Sequence, residues 1–309
     1  MNDKLSKNPA VSIRAKLLAH AKRHGEDFQR VLTRYAVERL LFRLGQTEEA
    51  KCYVLKGAML FVTWPEHVFR STGDLDLLGQ GDPHPEALSE RFARICQVRF
   101  PSDGIVFDGA TLKVGAVREI DKYQGACISL AADLAGARIP LQIDIGFGDR
   151  VHPEPKRGIF PSLLPDLPPA NILMYPPETV VAEKFEAMIR FGEANSRIKD
   201  FYDVWITTRI FSFDLVNVVK AVGGTLHNRA TVLPPEMPLG LTDVFATIAE
   251  ERGLWSGFLR RTAPTQRPPS FRDLQSDLRG FFGPVLADLR GPARTQGIWD
   301  PGARIWRNR

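Results

Sequence analysis

Cysteine is scarce and unpatterned in this sequence. Cys52, Cys96 and Cys127 are odd in number, widely spaced, and each lies in an apolar segment. No disulfide framework or CxxC knuckle can be drawn from them, and they are expected to be buried free thiols in a reducing compartment. Long apolar runs are also missing. The best candidate is broken by Lys56, short of the roughly 20 residues that a membrane span needs. The first residues hold no apolar core followed by a cleavage site, so a cytoplasmic protein with no membrane partner is expected. The six histidines form no HExxH, there is no GxxxxGK loop or serine nucleophile elbow, and Gly146-Phe147-Gly148 lacks the third glycine of a dinucleotide fingerprint. Zinc hydrolases, P-loop enzymes, dehydrogenases and triad hydrolases are thereby set aside. No internal repeat is present.

Lysine and glutamate are absent from residue 252 onward. There, 11 arginines face 4 aspartates, so this tail holds +7 against a net +5 for the whole chain. Trp255, Phe258, Phe271, Phe281, Phe282, Trp299 and Trp306 are interleaved with the arginines. Such a tail suits an RNA backbone track with stacking platforms. It equally suits a solvated basic surface over an aromatic core, and the sequence leaves both open.

The most informative stretch is Gly73-Asp74-Leu75-Asp76-Leu77-Leu78. In an extended chain, residues two apart share a face, so Asp74 and Asp76 project together while Leu75 and Leu77 turn to a core. The same alternation recurs in Leu141-Gln142-Ile143-Asp144-Ile145-Gly146. Neighbouring strands of this kind place three carboxylates around one or two Mg²⁺ ions, a hard cation that offsets their repulsion. Asp-x-Asp alone is also common in turns. Upstream, the strand Tyr53-Val54-Leu55 runs into Lys56-Gly57-Ala58 and a helix beginning near Met59. A glycine at a strand-to-helix turn lets backbone N–H groups approach an anion, which makes Lys56 and Gly57 a candidate phosphate seat.

The remaining periodicity predicts helices over 12–24, 26–44 and 85–100, and short strands over 105–107, 111–117, 125–130 and 139–147. Arg34, Arg39 and Arg43 fall outside the apolar stripe of the second helix, where a solvated face is the simplest expectation and an RNA-facing one the alternative. The proline-rich residues 149–177 are expected to cross between two lobes without forming a helix or a central strand. Pro177-Glu178-Thr179 opens another helix, in which Lys184 shares a face with Val180, Ala187 and Met188. A lysine on an apolar stripe either snorkels to water or reaches into a cleft to hold a triphosphate. Arg197, Lys199, Asp200 and Asp203 then crowd one helix start, although Lys199 and Asp203 also suit a plain i, i+4 surface pair. The fold class expected is α+β, divided into a lobe of mixed sheet and flanking helices over 1–165 and a mainly helical lobe over 166–309.

These motifs in this order resemble the AbiEii/AbiGii nucleotidyltransferase toxin family: Lys56-Gly57-Ala58, Arg70-Ser71-Thr72-Gly73-Asp74-Leu75-Asp76, Gln142-Ile143-Asp144-Ile145-Gly146, Glu183-Lys184-Phe185-Glu186-Ala187, and Arg197-Ile198-Lys199-Asp200-Phe201-Tyr202-Asp203. They span about half of the chain. The resemblance implies a polymerase-β-like nucleotidyltransferase lobe, a helical C-terminal lobe, and a role in toxin–antitoxin and phage-defence systems with a cognate antitoxin. It implies that Asp74, Asp76 and Asp144 bind two Mg²⁺ ions. Lys56, Gly57, Arg70 and Ser71 would cradle the nucleoside triphosphate and Lys184 would neutralise its charge. Lys199 and Asp200 would complete the cleft, with Asp200 as a general base. The acceptor implied is RNA, with the tRNA 3′ end as the target whose blockage stops translation. Ala58 departs from the Gly-Gly or Gly-Ser usual in the first motif. The alternatives are the same chemistry on a protein or small-molecule acceptor, and a non-catalytic RNA-binding module on the same fold.

Overall fold

The alternating leucines and isoleucines are the centre of the fold. A computed structural model describes residues 8–64, 73–116, 125–262, 267–291 and 296–308. The chain forms two compact units, Met1–Gly148 with Lys156–Met174, and Asp149–Pro155 with Tyr175–Arg309. In the first unit β1 (Tyr53–Lys56), β2 (Leu75–Gly79), β3 (Val106–Ala116), β4 (Gly125–Leu134), β5 (Ala137–Phe147), β6 (Lys156–Phe160) and β7 (Ala170–Met174) make one sheet in the order β3-β4-β5-β2-β1-β7-β6. β2 runs parallel to β5 and β1 to β7; the other neighbours are antiparallel. Leu75, Leu77, Leu141, Ile143 and Ile145 are all buried. Helix α2 (Phe28–Gly45) packs on β5 and β7, and α3 (Pro85–Gln97) on β3. Helix α1 (Pro9–His24), capped by Asn8 and closed by left-handed Gly25, lies against α2. The class is α+β, as the mixture of short strands and helices predicts.

Strand β3 merges the two short strands expected over 105–117, with a register shift between Asp108 and Lys113. The segment after Met59 is a 3-10 helix, Ala58–Thr63. The proline-rich stretch is not purely a crossing segment, because β6 and β7 lie within it. The physical reason is positional. Pro153, Pro155, Pro161, Pro165, Pro168, Pro169, Pro176 and Pro177 all fall outside the two strands, so no ladder donor is lost. A boundary at 165 therefore falls ahead of β7, which is hydrogen-bonded to β1 and β6 in the first unit.

The arginines of α2 also depart from expectation. Arg34 pairs with Glu26 at 3.0 Å, but Arg39 and Arg43 are buried rather than solvated. Both converge on Asp103, itself 0% exposed: Arg39 Nε donates to its carboxylate at 3.0 Å, and Arg43 Nη1 and Nη2 at 2.7 and 3.1 Å. Glu38 is likewise buried, accepts from Ser162 Oγ and Leu163 N, and has its pKa raised chiefly by desolvation. Because α2 is covered on more than one side, residues off its apolar stripe also face protein, and the charges survive there only by pairing.

The second unit contains α4 (Pro177–Phe191), α5 (Ile198–Ile210), α6 (Leu215–Asn228), α7 (Asp243–Glu251), α8 (Leu254–Thr262) and α9 (Phe271–Arg290), with a small sheet β10-β9-β8 built from β8 (Phe213–Asp214), β9 (Gly297–Asp300) and β10 (Ile305–Asn308). The aromatic residues of the arginine-rich tail are mostly core. Phe258, Phe271, Phe281, Phe282 and Trp299 are buried, and Phe185 stacks on Phe282 at 4.0 Å. Several tail arginines are paired, Arg272 with Glu250 and Arg304 with Asp277 among them. The aromatic-core alternative therefore accounts for this tail, and the stacking platforms do not. Cys52, Cys96 and Cys127 are free and partly buried. No helix among the described residues is long and apolar enough to cross a membrane.

Candidate active site

One cross-strand row of the first sheet carries most of the chemistry. In register, Lys56 of β1 stands beside Asp76 of β2, Asp76 beside Asp144 of β5, and Asp144 beside Cys127 of β4. Residues paired in register share a face, so the Asp76 and Asp144 carboxylates project from adjacent parallel strands on the side opposite Leu75, Leu77, Ile143 and Ile145. Asp74 is exposed, just ahead of β2.

Gly57 makes the approach to this row possible. Its φ of 70° and ψ of −163° lie in a region essentially reserved for glycine, and a Cβ added there would overlap the Asp76 carboxylate. Ala58, one residue on, is buried and begins the 3-10 helix, so the departure from the family's first motif turns inward.

Asp144 is oriented by two neighbours. Gln142 Nε2 donates to its Oδ1 at 3.1 Å and its Oδ2 at 3.2 Å. The Cys127 thiol is hydrogen-bonded to the same carboxylate, and its pKa is pushed up to about 11. Burial is the largest cause, followed by that hydrogen bond and the charges of Asp144 and Asp74. The Asp74 charge is thus felt at Cys127.

Among the described residues no group of three His, Cys, Asp or Glu side chains is arranged to hold a metal ion. The donor chemistry of the row nevertheless fits Mg²⁺: two in-register carboxylates supply hard oxygens on one face of the sheet. Arg70 and Ser71 lie outside the described residues.

The other motif residues gather in the second unit. Lys184 of α4 donates to Asp200 Oδ1 at 3.0 Å and to Asp203 Oδ2 at 2.7 Å, both from α5. Arg197 Nε donates to Asp200 Oδ2 at 2.7 Å, so both Asp200 oxygens are engaged by cations. Asp200 and Asp203 are 1% and 0% exposed, and Lys184 bridges them, while Lys199 is exposed.

Arg229 was not distinguishable in the sequence. It follows α6 and bridges Asp149, Glu183 and Glu186 at 2.9–3.3 Å, with Thr231 Oγ1 also donating to Glu186. Burial is the largest single effect on its pKa and lowers it, but the charges of Glu183, Asp149 and Glu186 together outweigh burial and raise it. The cluster fixes the face of α4 that bears Glu183 and Glu186. No local spacing announces it, because its members lie 43 and 80 residues apart.

A family model described as nucleotidyl transferase AbiEii toxin, type IV TA system, matches residues 39–276. No curated protein matches the chain. Among solved structures, JHP933 from Helicobacter pylori is similar at 15% identity, over 72% of this chain and 93% of that one, with a TM-score of 0.38. A second Helicobacter pylori structure, described as a putative nucleotidyltransferase, is similar at 13% identity over 72% and 91%, with a TM-score of 0.37.

Proposed function

Given that the chain belongs to the AbiEii nucleotidyltransferase toxin family of type IV toxin–antitoxin systems, we propose that it transfers a nucleoside monophosphate from a nucleoside triphosphate to a 3′-hydroxyl of RNA. The tRNA 3′ end is the acceptor proposed, and loss of translation the consequence. The observation that carries this reading is the in-register pair Asp76–Asp144, with Gly57 admitting the Asp76 carboxylate where any side chain would overlap it.

In the reaction the acceptor hydroxyl gives up its proton to solvent, its oxygen bonds to the α-phosphorus, the bond from that phosphorus to the bridging oxygen breaks, and pyrophosphate leaves. Asp76 and Asp144 would hold Mg²⁺, with Asp74 contributing from the segment ahead of β2. Bound there, the ion supplies charge neutralisation for the leaving pyrophosphate and a lower pKa for the attacking hydroxyl. Gly57 exposes backbone N–H groups toward the phosphates, and Lys56, in register with Asp76, adds a cation to the row. Gln142 and Cys127 keep Asp144 in one orientation, which lowers the reorganisation needed in the transition state. Asp200, both of whose oxygens are held by Lys184 and Arg197, acts as an organiser of α4 and α5 in this reading rather than as the proton acceptor. An antitoxin partner follows from the family.

The test is incubation of the purified protein with total bacterial RNA, Mg²⁺ and each α-labelled nucleoside triphosphate in turn. Label in the tRNA band is expected with one or more nucleotides and lost in Asp76→Asn. Label on protein or a small molecule instead would overturn the acceptor, and no label with any nucleotide would overturn transfer.

A further inference from the structure

Resting on the reading above, we infer that the solvent-facing side of β3, β4 and β5 beside Asp144 is the acceptor subsite, with Lys113 as its phosphate-binding residue. The register sets a second cross-strand row next to the carboxylates: Lys113 of β3 stands beside Ser129 of β4, and Ser129 beside Gln142 of β5. Gln142 is two residues from Asp144 and donates to it, so the row borders the carboxylate directly. The β2–β5 ladder ends at Leu75–Ile143, and one further step of the same register brings Asp74 opposite Gln142. Lys113, Ser129 and Gln142 are all exposed in the full chain, while Ile128, Leu130, Leu141 and Ile143 of the same strands are buried on the other face.

Charge decides what this face takes. Among the described residues the Lys113 ammonium and the Ser129 hydroxyl have no hydrogen-bond or ion-pair partner. Lys113 lies two strands from β5, roughly 10 Å at about 4.8 Å per strand. A cation at that offset suits a backbone phosphate one or two nucleotides upstream of a hydroxyl reacting at the carboxylates. The hydroxyl of Ser129 and the amide of Gln142 bridge the interval with neutral hydrogen-bonding groups. Arg138 lies on the same side of β5 but four residues beyond Gln142, on the far side of Pro140, so it stands away from the row that borders the carboxylates. The fitting occupant is therefore the sugar-phosphate backbone of a single-stranded 3′ end, rather than an acidic protein attracted to positive charge in general.

The experiment is fluorescence anisotropy of 3′-labelled bacterial tRNA against the wild-type protein, Lys113→Ala and Arg138→Ala, in EDTA over a series of KCl concentrations. Nucleotide transfer to unlabelled tRNA is followed in parallel with Mg²⁺. Lys113→Ala is expected to weaken binding and to flatten the plot of log affinity against log salt by about 0.7, the value for one single-strand phosphate. Arg138→Ala should reproduce the wild-type slope. A Lys113→Ala slope and affinity equal to wild type would overturn the subsite, as would an equal loss in both variants. Wild-type protein that labels no RNA yet shows the Lys113-dependent slope sinks the transferase reading and leaves the subsite standing. Protein that labels RNA with Lys113→Ala unchanged does the reverse.

Discussion

Replacing Gly57 with alanine tests the carboxylate row at its tightest point. Two effects add. The backbone at φ 70° and ψ −163° is glycine territory, and holding a residue with a side chain there costs about 1–3 kcal/mol. The new Cβ would also overlap the Asp76 carboxylate, which has to rotate or carry β2 with it. For a unit of this size each kcal/mol lowers the melting temperature by about 2–4 °C, so a fall of about 2–12 °C is expected in the first unit's transition. The catalytic effect is larger than the thermal one. A displacement of a positioning group by about 1 Å costs about a hundredfold in rate, so kcat for nucleotide transfer should drop by about that factor while circular dichroism at 20 °C stays native. Differential scanning calorimetry and transfer of α-labelled nucleotide measure the two effects separately. A Gly57→Ala protein with wild-type Tm and wild-type kcat would refute both the strain and the proximity of Asp76. A lowered Tm with unchanged kcat would keep the strain and remove Asp76 from the chemistry.

Asp103→Asn should destabilise the first unit by about 3 kcal/mol, because it leaves the buried Arg39 and Arg43 without their shared carboxylate; a urea midpoint within error of wild type would contradict that pairing. Lys184→Ala should cost a similar 3–5 kcal/mol in the second unit, since Asp200 and Asp203 are buried and the ammonium that bridges them is removed. If instead only the apparent KM for nucleotide rises and the urea midpoint is unmoved, the lysine serves the nucleotide rather than the core. Burial pushes the Cys96 thiol from 9.0 up to about 11, so the folded state favours its protonated form. Its stabilisation is complete below pH 9 and is lost as pH rises toward 11. The thermal stability of wild type should therefore fall more between pH 8 and 11 than that of Cys96→Ala, and parallel pH profiles would refute it.

The strands that carry Asp76 and Asp144 were legible because a two-residue alternation of leucine or isoleucine with aspartate has a single physical solution, a half-buried strand. The register that sets the two aspartates side by side was not legible, since β2 and β5 lie far apart in sequence and pair through tertiary packing. β6 and β7 are hidden by a proline density that is high over the whole segment, although every one of those prolines falls outside the two strands. Arg39 and Arg43 looked solvated for a similar reason. A helix covered on more than one side buries positions off its apolar stripe, and the partner that makes this tolerable, Asp103, lies 60 or more residues away. The crowding of charge at 197–203 marks a true cluster, and the cation that joins Asp200 and Asp203 there, Lys184, comes from the preceding helix, out of reach of any local spacing rule.

The chain leaves the first unit at Gly148, re-enters it at Lys156, and leaves it again after Met174. During synthesis this interruption separates two events in time. Once Met174 has cleared the ribosome, every strand of the seven-stranded sheet exists, including the Asp76–Asp144 pair. The excursion Asp149–Pro155, by contrast, waits for Arg229, which follows Asp149 by 80 residues. At translation speeds of about 5–20 residues per second that wait is about 4–16 s. A ribosome making this protein therefore carries, for seconds, a nascent chain whose carboxylate sheet is complete while the ion-pair clamp of its second unit is still being polymerised.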